Sequence, residues 1–349
     1  MMNVSFEQHA QALRERYARY KAQNPKARIR TLAQDMSVSE MELVAAGCGQ
    51  IVPVRLTEPA QDIFKELGSL GRVMALTRND WCVHERHGKY EDIRAGRVMG
   101  IVLGPDIDLR MFFSSWKFTF AVNDDGRLSI QFFDAAGAAL HKVYITDESD
   151  VDAYHALVAR FTDPDPVWPQ AVPDVPKADE TVARAPAQLR EDWLAMKDTH
   201  EFHELLKRHN VSRLTALRDV GEDLAQQVPN DVAERMLTDV AERDIAFMCF
   251  VGNRGMIQIH SGPIKKLMRT GPWFNVLEPH FNLHLDTTAI DSAWVVNKPT
   301  ADGWVTSVEC YAANGDLIAQ FFGARKPGVP ELTSWRELLV GYCPVPLAA

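Results

Sequence analysis

Met74-Ala-Leu-Thr-Arg-Asn79 leads to Gly88 and then to Asp108-Leu-Arg110; Met248-Cys-Phe-Val-Gly-Asn253 leads to Gly262 and then to Asn282-Leu-His284. Asn79 and Asn253, Gly88 and Gly262, Leu109 and Leu283, and Arg110 and His284 all stand 174 residues apart. Four landmarks kept in one register over that distance mark a duplication. The unit is too long for a solenoid repeat, so it implies two homologous domains. Farther along, Trp116, Gly126 and Gly137 are echoed by Trp294, Gly303 and Gly315 after a small change in length. Paired domains imply a cleft between them, a usual place for a ligand.

The texture of each half repeats as well. Residues 6–46 have helical spacing, broken at Asn24-Pro25. From Gly71 to about Tyr144, short runs rich in Val, Ile, Phe and Trp alternate with turn signals such as Asn123-Asp-Asp-Gly126, the pattern of a meandering antiparallel sheet. Asp150 to Phe161 closes the half as a helix. The second half opens with helices expected at 187–209, 213–227 and 230–243, the last capped by Asn230-Asp231. Strands follow from Ile245 to Phe322, with hairpin turns at Ala301-Asp-Gly303 and Asn314-Gly315, and Ser334 to Val340 ends the chain as a helix. The expected class is α+β, with two duplicated domains each built on a large antiparallel sheet flanked by helices. Their expected bounds are 1–162 and 187–349, joined by a proline-rich linker at 163–186.

Composition narrows the function classes. The 349 residues are 46% hydrophobic and 24% charged, as in a globular protein with a substantial core. A net charge of −9 opposes binding to a polyanion, so nucleic acid is not expected as a partner. No run approaches the ~18 apolar residues of a membrane span, and no basic segment followed by an apolar run suggests export. Five scattered cysteines without a CxxC fit reduced thiols in the cytoplasm better than a disulfide framework or a zinc knuckle.

The segment from Leu189 to Lys207 carries the most pointed chemistry. In steps of three and four, Leu189, Trp193, Met196, His200 and His203 fall on one helical stripe, which sets His200 in line with an apolar face. The plain alternatives are a core histidine satisfied by a hydrogen bond for His200 and a half-exposed surface residue for His203. A zinc hydrolase is rejected, because its helix needs histidines four apart and these are three apart. The other reading is an axial ligand to a flat apolar macrocycle, which needs one neutral imidazole, aromatic walls and cations at the rim.

Several strings together resemble one family: Arg78-Asn-Asp-Trp-Cys-Val-His84-Glu85, Ile107-Asp-Leu-Arg110-Met-Phe112, Ile130-Gln-Phe-Phe-Asp134, Lys197-Asp-Thr-His200, Phe250-Val-Gly-Asn-Arg-Gly255, Asn297-Lys298-Pro299 and Ala319-Gln-Phe-Phe-Gly323. Over nearly its whole length the chain is similar to the cytoplasmic haem-handling proteins of bacterial haem-uptake systems, the HemS/ChuS/PhuS group of hemin-degrading factors. That resemblance implies haem (iron protoporphyrin IX) as ligand, held in the cleft between the two domains. His200, in the Asp-x-His string, becomes the proximal iron ligand and Arg110, in Asp-Leu-Arg, the distal group. Arg213, Lys298 and Arg325 become the cations for the propionates, with Gln320 in the same strand motif. His203 becomes an alternative ligand and His84 a second, weaker haem site. Phe112 and Phe322 supply aromatic contact.

Two departures stand out. Some members carry tyrosine where this chain has Phe322, and the carrier-like branch has a His-His pair where this chain has His200-Glu201. Taken alone, Arg110 would pass for an exposed strand arginine paired with Asp108, the cations for surface residues, and His84 for a strand histidine facing solvent. Arginine has no acceptor and stays protonated, so Arg110 suits a distal hydrogen-bond donor better than an iron ligand.

Two functions follow from the resemblance. As a carrier, the protein accepts imported haem, with a haem-import ABC transporter and a haem oxygenase as expected partners. As an enzyme, it opens the macrocycle with an external electron donor, since no GxGxxG fingerprint for a nicotinamide or flavin is present. The nearby His203 favours the carrier. The non-haem alternative is an interaction protein of two paired domains.

Overall fold

In a computed structural model, residues 6–173, 181–326 and 328–349 are described; residues 174–180 of the expected linker lie outside them. The first half contains α1 (Phe6–Gln23), α2 (Ile29–Asp35), α3 (Glu40–Ala45), β1 (Ile51–Leu56), α4 (Ala60–Glu66), β2 (Gly71–Arg78), β3 (Cys82–Lys89), β4 (Ile93–Ala95), β5 (Met99–Leu103), β6 (Asp108–Phe112), β7 (Phe118–Asp124), β8 (Arg127–Phe133), β9 (Ala139–Ser149) and α5 (Val151–Phe161). The second half contains α6 (Gln188–Leu194), α7 (Glu201–Arg208), α8 (Arg213–Asp219), β10 (Ala225–Val228), α9 (Val232–Arg243), β11 (Phe247–Gly252), β12 (Met256–Gly262), β13 (Leu267–Thr270), β14 (Trp273–Leu277), β15 (Phe281–Asp286), β16 (Ser292–Thr300), β17 (Gly303–Tyr311), β18 (Leu317–Gly323) and α10 (Thr333–Val340). The strands form two large antiparallel sheets of nine strands each, so the α+β duplication expected from the repeat is present.

Two compact units divide the chain: 1–78, 85–175 and 252–258 in unit 1, and 79–84, 176–251 and 259–349 in unit 2. Each unit therefore contains a short segment of the other repeat. The repeated asparagine is the first residue of 79–84 and the second of 252–258, and its amide explains why that residue recurs. In unit 1, Asn253 donates through Nδ2 to Arg78 O and Leu140 O at 2.9 and 2.8 Å, while its Oδ1 accepts from Gly255 N. In unit 2, Asn79 donates to Ile318 O at 2.8 Å and accepts from the N–H groups of Trp81 and Cys82. Phe112 N donates to Gly255 O in unit 1, and Asp286 N to Trp81 O in unit 2, two bonds that keep the same 174-residue register. A Cβ on Gly255 would lie 2.7 Å from a Leu140 methyl and 3.0 Å from the Trp116 indole nitrogen, so a larger residue there has to displace a packed side chain.

Unit 1 runs β1-β7-β8-β9-β2 and unit 2 runs β10-β16-β17-β18-β11, each as antiparallel neighbours. α3 packs Met41, Val44 and Ala45 against Phe118, Phe120 and Phe133 of unit 1. In unit 2, α6, α7 and α8 bury Trp193, Phe202, Ala216 and Leu217 against Trp294, Val296 and Tyr311. Along the other face of that sheet α9 and α10 contribute Met236, Leu237, Trp335 and Leu339 to the larger core. The described start of the proline-rich stretch lies on unit 1, where Trp168 meets Phe6 and His9 at 5.1 and 5.5 Å between ring centroids.

Several expectations are corrected. Strand β1 and helix α4 fold from a stretch with no strong period in its sequence. Residues 225–228 are strand rather than the end of a 213–227 helix, because the chain turns at Gly221 with φ +111°. Asp231 does stand at the start of α9, but its side chain caps nothing, and Asn230 donates instead to Ile290 O and Asp291 O. Strand register also corrects one echo. Trp294 pairs with Glu309 as Phe120 pairs with Gln131, so Phe120, and not Trp116, is the counterpart of Trp294.

Candidate functional site

The expected helix at 187–209 is two helices with a break at 195–200. Asp198 and Thr199 occupy the break, and such side chains compete for backbone hydrogen bonds. The Asp198 carboxylate accepts His200 N–H at 2.9 Å, and its carbonyl accepts Glu201 N–H at 3.1 Å, which starts α7 afresh. Leu189, Trp193 and Met196 stay buried, but His200 leaves their stripe and its side chain is 89% exposed. Placing it on an apolar face assumed one unbroken helix, and that assumption fails. Residue 200 is therefore not a core histidine. Its Nδ1 lies 2.6 Å from Asp198 Oδ1, and because a carboxylate only accepts, Nδ1 carries a proton, so in the neutral ring the lone pair is on Nε2. His203 is exposed on α7.

Two residues after the exposed histidine, Phe202 is buried against Trp193 at 4.8 Å. The Arg213 guanidinium carbon and the Lys298 ammonium sit over its ring at 4.9 and 4.5 Å, distances at which a cation is attracted to an aromatic face. Arg213 opens α8 directly after Ser212, whose hydroxyl caps that helix by accepting Thr215 N–H. Both cations reach one fully buried carboxylate, Glu309. Arg213 holds it through Nε and Nη2, both at 2.9 Å; Lys298 Nζ is 2.9 Å away, Gln320 Nε2 3.0 Å and Ser307 Oγ 3.2 Å, and Tyr311 donates its hydroxyl as well. Burial alone would raise the Glu309 carboxyl, but Arg213 and Lys298 outweigh it and hold it well below the ordinary range. The two cations and one anion leave one net positive charge on this cluster.

Strand register extends the cluster into an aromatic strip. Gln320 pairs with Glu309 and Phe250, and Phe322 with Ser307 and Met248, so these side chains share one face of the sheet. Phe250 and Phe322 meet edge to face at 5.0 Å and are half-buried. The tip of the β16–β17 hairpin completes the region. Ala301 N donates to Lys197 O at 2.8 Å, tying the hairpin to the 195–200 break. Asp302 accepts from Arg325 at 3.1 Å and from Gly328 N at 2.9 Å. Unit 2 thus joins Arg213, Lys298 and Gln320 at Glu309, with Phe322 on the same sheet face, while the hairpin tip bonds both Arg325 and the 195–200 break that ends at His200. Lys298 is only 3% exposed, so it is not the surface cation that its sequence context suggests.

The remaining candidates have other surroundings within their own units. In unit 1, Arg110 is half-buried, paired with Asp108, and donates to Leu109 O at 3.0 Å. Phe112 is also half-buried there. His84, in unit 2, does not face solvent: it is 0% exposed, 5.0 Å from Phe281, which stacks on His260 at 3.7 Å. No macrocycle reaches that ring without opening the core. Sequence reasoning missed Asp198, Glu309 and Asp302. Asp198 had a signal, two residues before the histidine; Glu309 had none, since its partners come from α8, β16 and β18.

Comparison with known proteins converges on one group. The model of the Haemin-degrading HemS.ChuX domain matches twice, at residues 37–161 and 210–342. The hemin transport protein HmuS of Yersinia pestis is 41% identical over 332 residues, 93% of this chain and 96% of that protein. The crystal structure of apo-PhuS, a heme-binding protein from Pseudomonas aeruginosa, superposes with a TM-score of 0.92 at 42% identity, covering 95% of this chain and 99% of that one. The heme degrading enzyme ChuS of Escherichia coli O157:H7 gives a TM-score of 0.88 at 35% identity, covering 96% and 100%.

Proposed function

The chain belongs to the haemin-degrading HemS.ChuX domain family, and on that premise we propose that it is a cytoplasmic haem-binding protein that accepts imported haem and passes it to a haem oxygenase. The observation that carries the reading is the His200–Asp198 pair. An exposed imidazole whose Nδ1 is engaged by a carboxylate offers Nε2 outward, the arrangement that protein ligands to metals use. The half-buried Phe250 and Phe322 fit an apolar ring system, and the net positive cluster at Glu309 fits the ligand's carboxylates. Arg213 is 29% exposed and suited to direct contact with a propionate, whereas buried Lys298 acts through its field. Arg325 stands ready at the hairpin tip. In this reading Arg110, steadied by Asp108, is the distal hydrogen-bond donor, and His203 an alternative ligand during transfer.

Haem titration followed by absorbance tests the reading. His200→Ala is expected to weaken ferric haem binding by ~100-fold, about 2.7 kcal/mol, and to change the Soret band. Unchanged affinity and spectrum in the His200→Ala/His203→Ala double variant would remove the iron-ligand assignment. The relative named a heme degrading enzyme motivates a second reading, ring opening driven by an external reductant. Tetrapyrrole product formed with catalase present supports it; stable haem that moves to an added haem oxygenase supports the carrier.

A further inference from the structure

We infer that Asp198 is a positioning residue that fixes the tautomer and the orientation of His200 and sets how strongly that imidazole donates to iron. The inference rests on the reading of His200 as the haem ligand. The Asp198 side chain makes two bonds to the same residue, accepting the backbone N–H of His200 at 2.9 Å and its ring Nδ1 at 2.6 Å, both through Oδ1. The first fixes the chain at the start of α7, and the second fixes the ring on that chain.

An isolated histidine favours the tautomer with its proton on Nε2, the wrong one for a ligand that binds through Nε2. An acceptor held at Nδ1 reverses that preference before any ligand arrives. The pair is 89% and 60% exposed at its two side chains, so in the free protein water screens it and it adds little to stability. A flat ligand laid over the histidine would exclude water, and the same carboxylate would then act at low dielectric. It would raise the donor strength of the imidazole and offset the charge of ferric iron. The pair is thus weak in the free protein and strong beneath a bound ligand.

The test uses the full chain and begins without haem. Nitrogen-15 NMR of the His200 ring at neutral to mildly basic pH is expected to show the Nδ1–H tautomer in the native protein and mainly Nε2–H in Asp198→Ala. With ferric haem, Asp198→Ala is expected to lose affinity by ~10–100-fold, and the iron midpoint potential to move positive. Asp198→Asn keeps an acceptor oxygen for the backbone and ring N–H groups, so it is expected to keep the tautomer and lose several-fold less affinity than Asp198→Ala while still raising the potential. It also guards against a simple failure of α7 to form.

An Nε2–H tautomer in the native protein, or affinity and potential in Asp198→Ala that match the native values, overturns the inference. His200→Ala separates the two claims. If it loses haem while Asp198→Ala does not, only the positioning role fails. If His200→Ala binds haem as the native protein does, the ligand assignment fails, and the tautomer measurement still decides whether Asp198 sets the ring.

Discussion

The same helix-on-sheet position is built in both units with its charges rearranged. In unit 1, Ser39 caps α3 and the first helical residue, Glu40, reaches Lys142 on β9, which pairs in register with Gln131 on β8. In unit 2, Ser212 caps α8 and the first helical residue, Arg213, reaches Glu309 on β17, which pairs with Gln320 on β18. Glu, Gln and Lys in one unit thus stand where Arg, Glu and Gln stand in the other. In the unit 1 set the direct bond is between Glu40 and Lys142, with Arg78 and Arg30 acting on the same carboxylate through their fields. The unit 2 set adds Lys298 and carries an excess positive charge. One duplicated scaffold holds a carboxylate on the helix in one copy and on the sheet in the other, where two directly bonded cations meet it.

The most severe way to test this contrast is to remove the central side chain on each side. Glu309→Leu strands Arg213 and Lys298 without their carboxylate in a buried place, and is expected to cost about 3–5 kcal/mol in urea unfolding. The Gln131 amide oxygen is buried without a hydrogen-bond partner and its Nε2 donates one bond, to Ser129 Oγ at 3.1 Å, so Gln131→Leu removes a single neutral bond and is expected to cost about 1 kcal/mol. Equal losses at the two positions would mean that the cluster in unit 2 is no more dependent on its centre than the pair in unit 1.

Acid should also distinguish the units. In unit 1, His141 is buried between Thr77 Oγ1 at 2.9 Å and Tyr90 Oη at 2.5 Å. Burial pushes its pKa down to about 3, against a backbone hydrogen bond to Leu76 that works the other way. Between its ordinary value near 6.5 and about 3, the unfolded chain takes up a proton that the folded chain refuses, so stability falls as pH falls. The slope from this group is at most about 1.4 kcal/mol per pH unit. Unit 2 has Ala319 at the matching place, across from Cys310 as His141 is from Phe132. Glu309, held well below its ordinary 4.5, contributes stability that is lost only as pH drops below that range. Unfolding measured at pH 7, 6 and 5 should therefore decline in the native protein and flatten in His141→Gln. Parallel slopes for the two proteins would show that His141 is not the acid-sensitive group.

Legibility followed the range of the interactions. The 174-residue register was plain in the sequence because its landmarks hold matching places in matching elements: Asn79 and Asn253 bond their own loops, and the other three pairs lie in corresponding strands. The iron-ligand candidate was found through its string, yet its surroundings were misjudged. Helical spacing put His200 on a buried stripe because nothing in that spacing records the break Asp198 imposes. Lys298 looked like a surface cation because the carboxylate that holds it lies on the next strand, and His84 looked exposed because Phe281 lies far along the chain. That 79–84 and 252–258 each fold into the other unit was equally invisible, since both are ordinary strand-turn sequences.

The smallest expected effect comes from the place where the two repeats differ in length. Asp124 pairs with Arg127 across a two-residue turn, Asp125-Gly126, whereas at the matching place Lys298 pairs with Val305 and six residues, 299–304, lie between. The added length lets Ala301 reach Lys197 beside the 195–200 break and lets Asp302 hold Arg325. Replacing residues 299–304 with the Asp-Gly turn of the first hairpin keeps the strand register and removes both contacts. Haem affinity is expected to fall by ~10-fold, about 1.4 kcal/mol, with near-native secondary structure by circular dichroism. Asp302→Ala, which frees only Arg325 and the 328 amide, should lose a few-fold, because the hairpin still anchors the break through its backbone. If the shortened hairpin binds haem as tightly as the native one, the extra residues belong to the packing of Trp304 and not to the site, and the length difference between the repeats has no part in their difference of function.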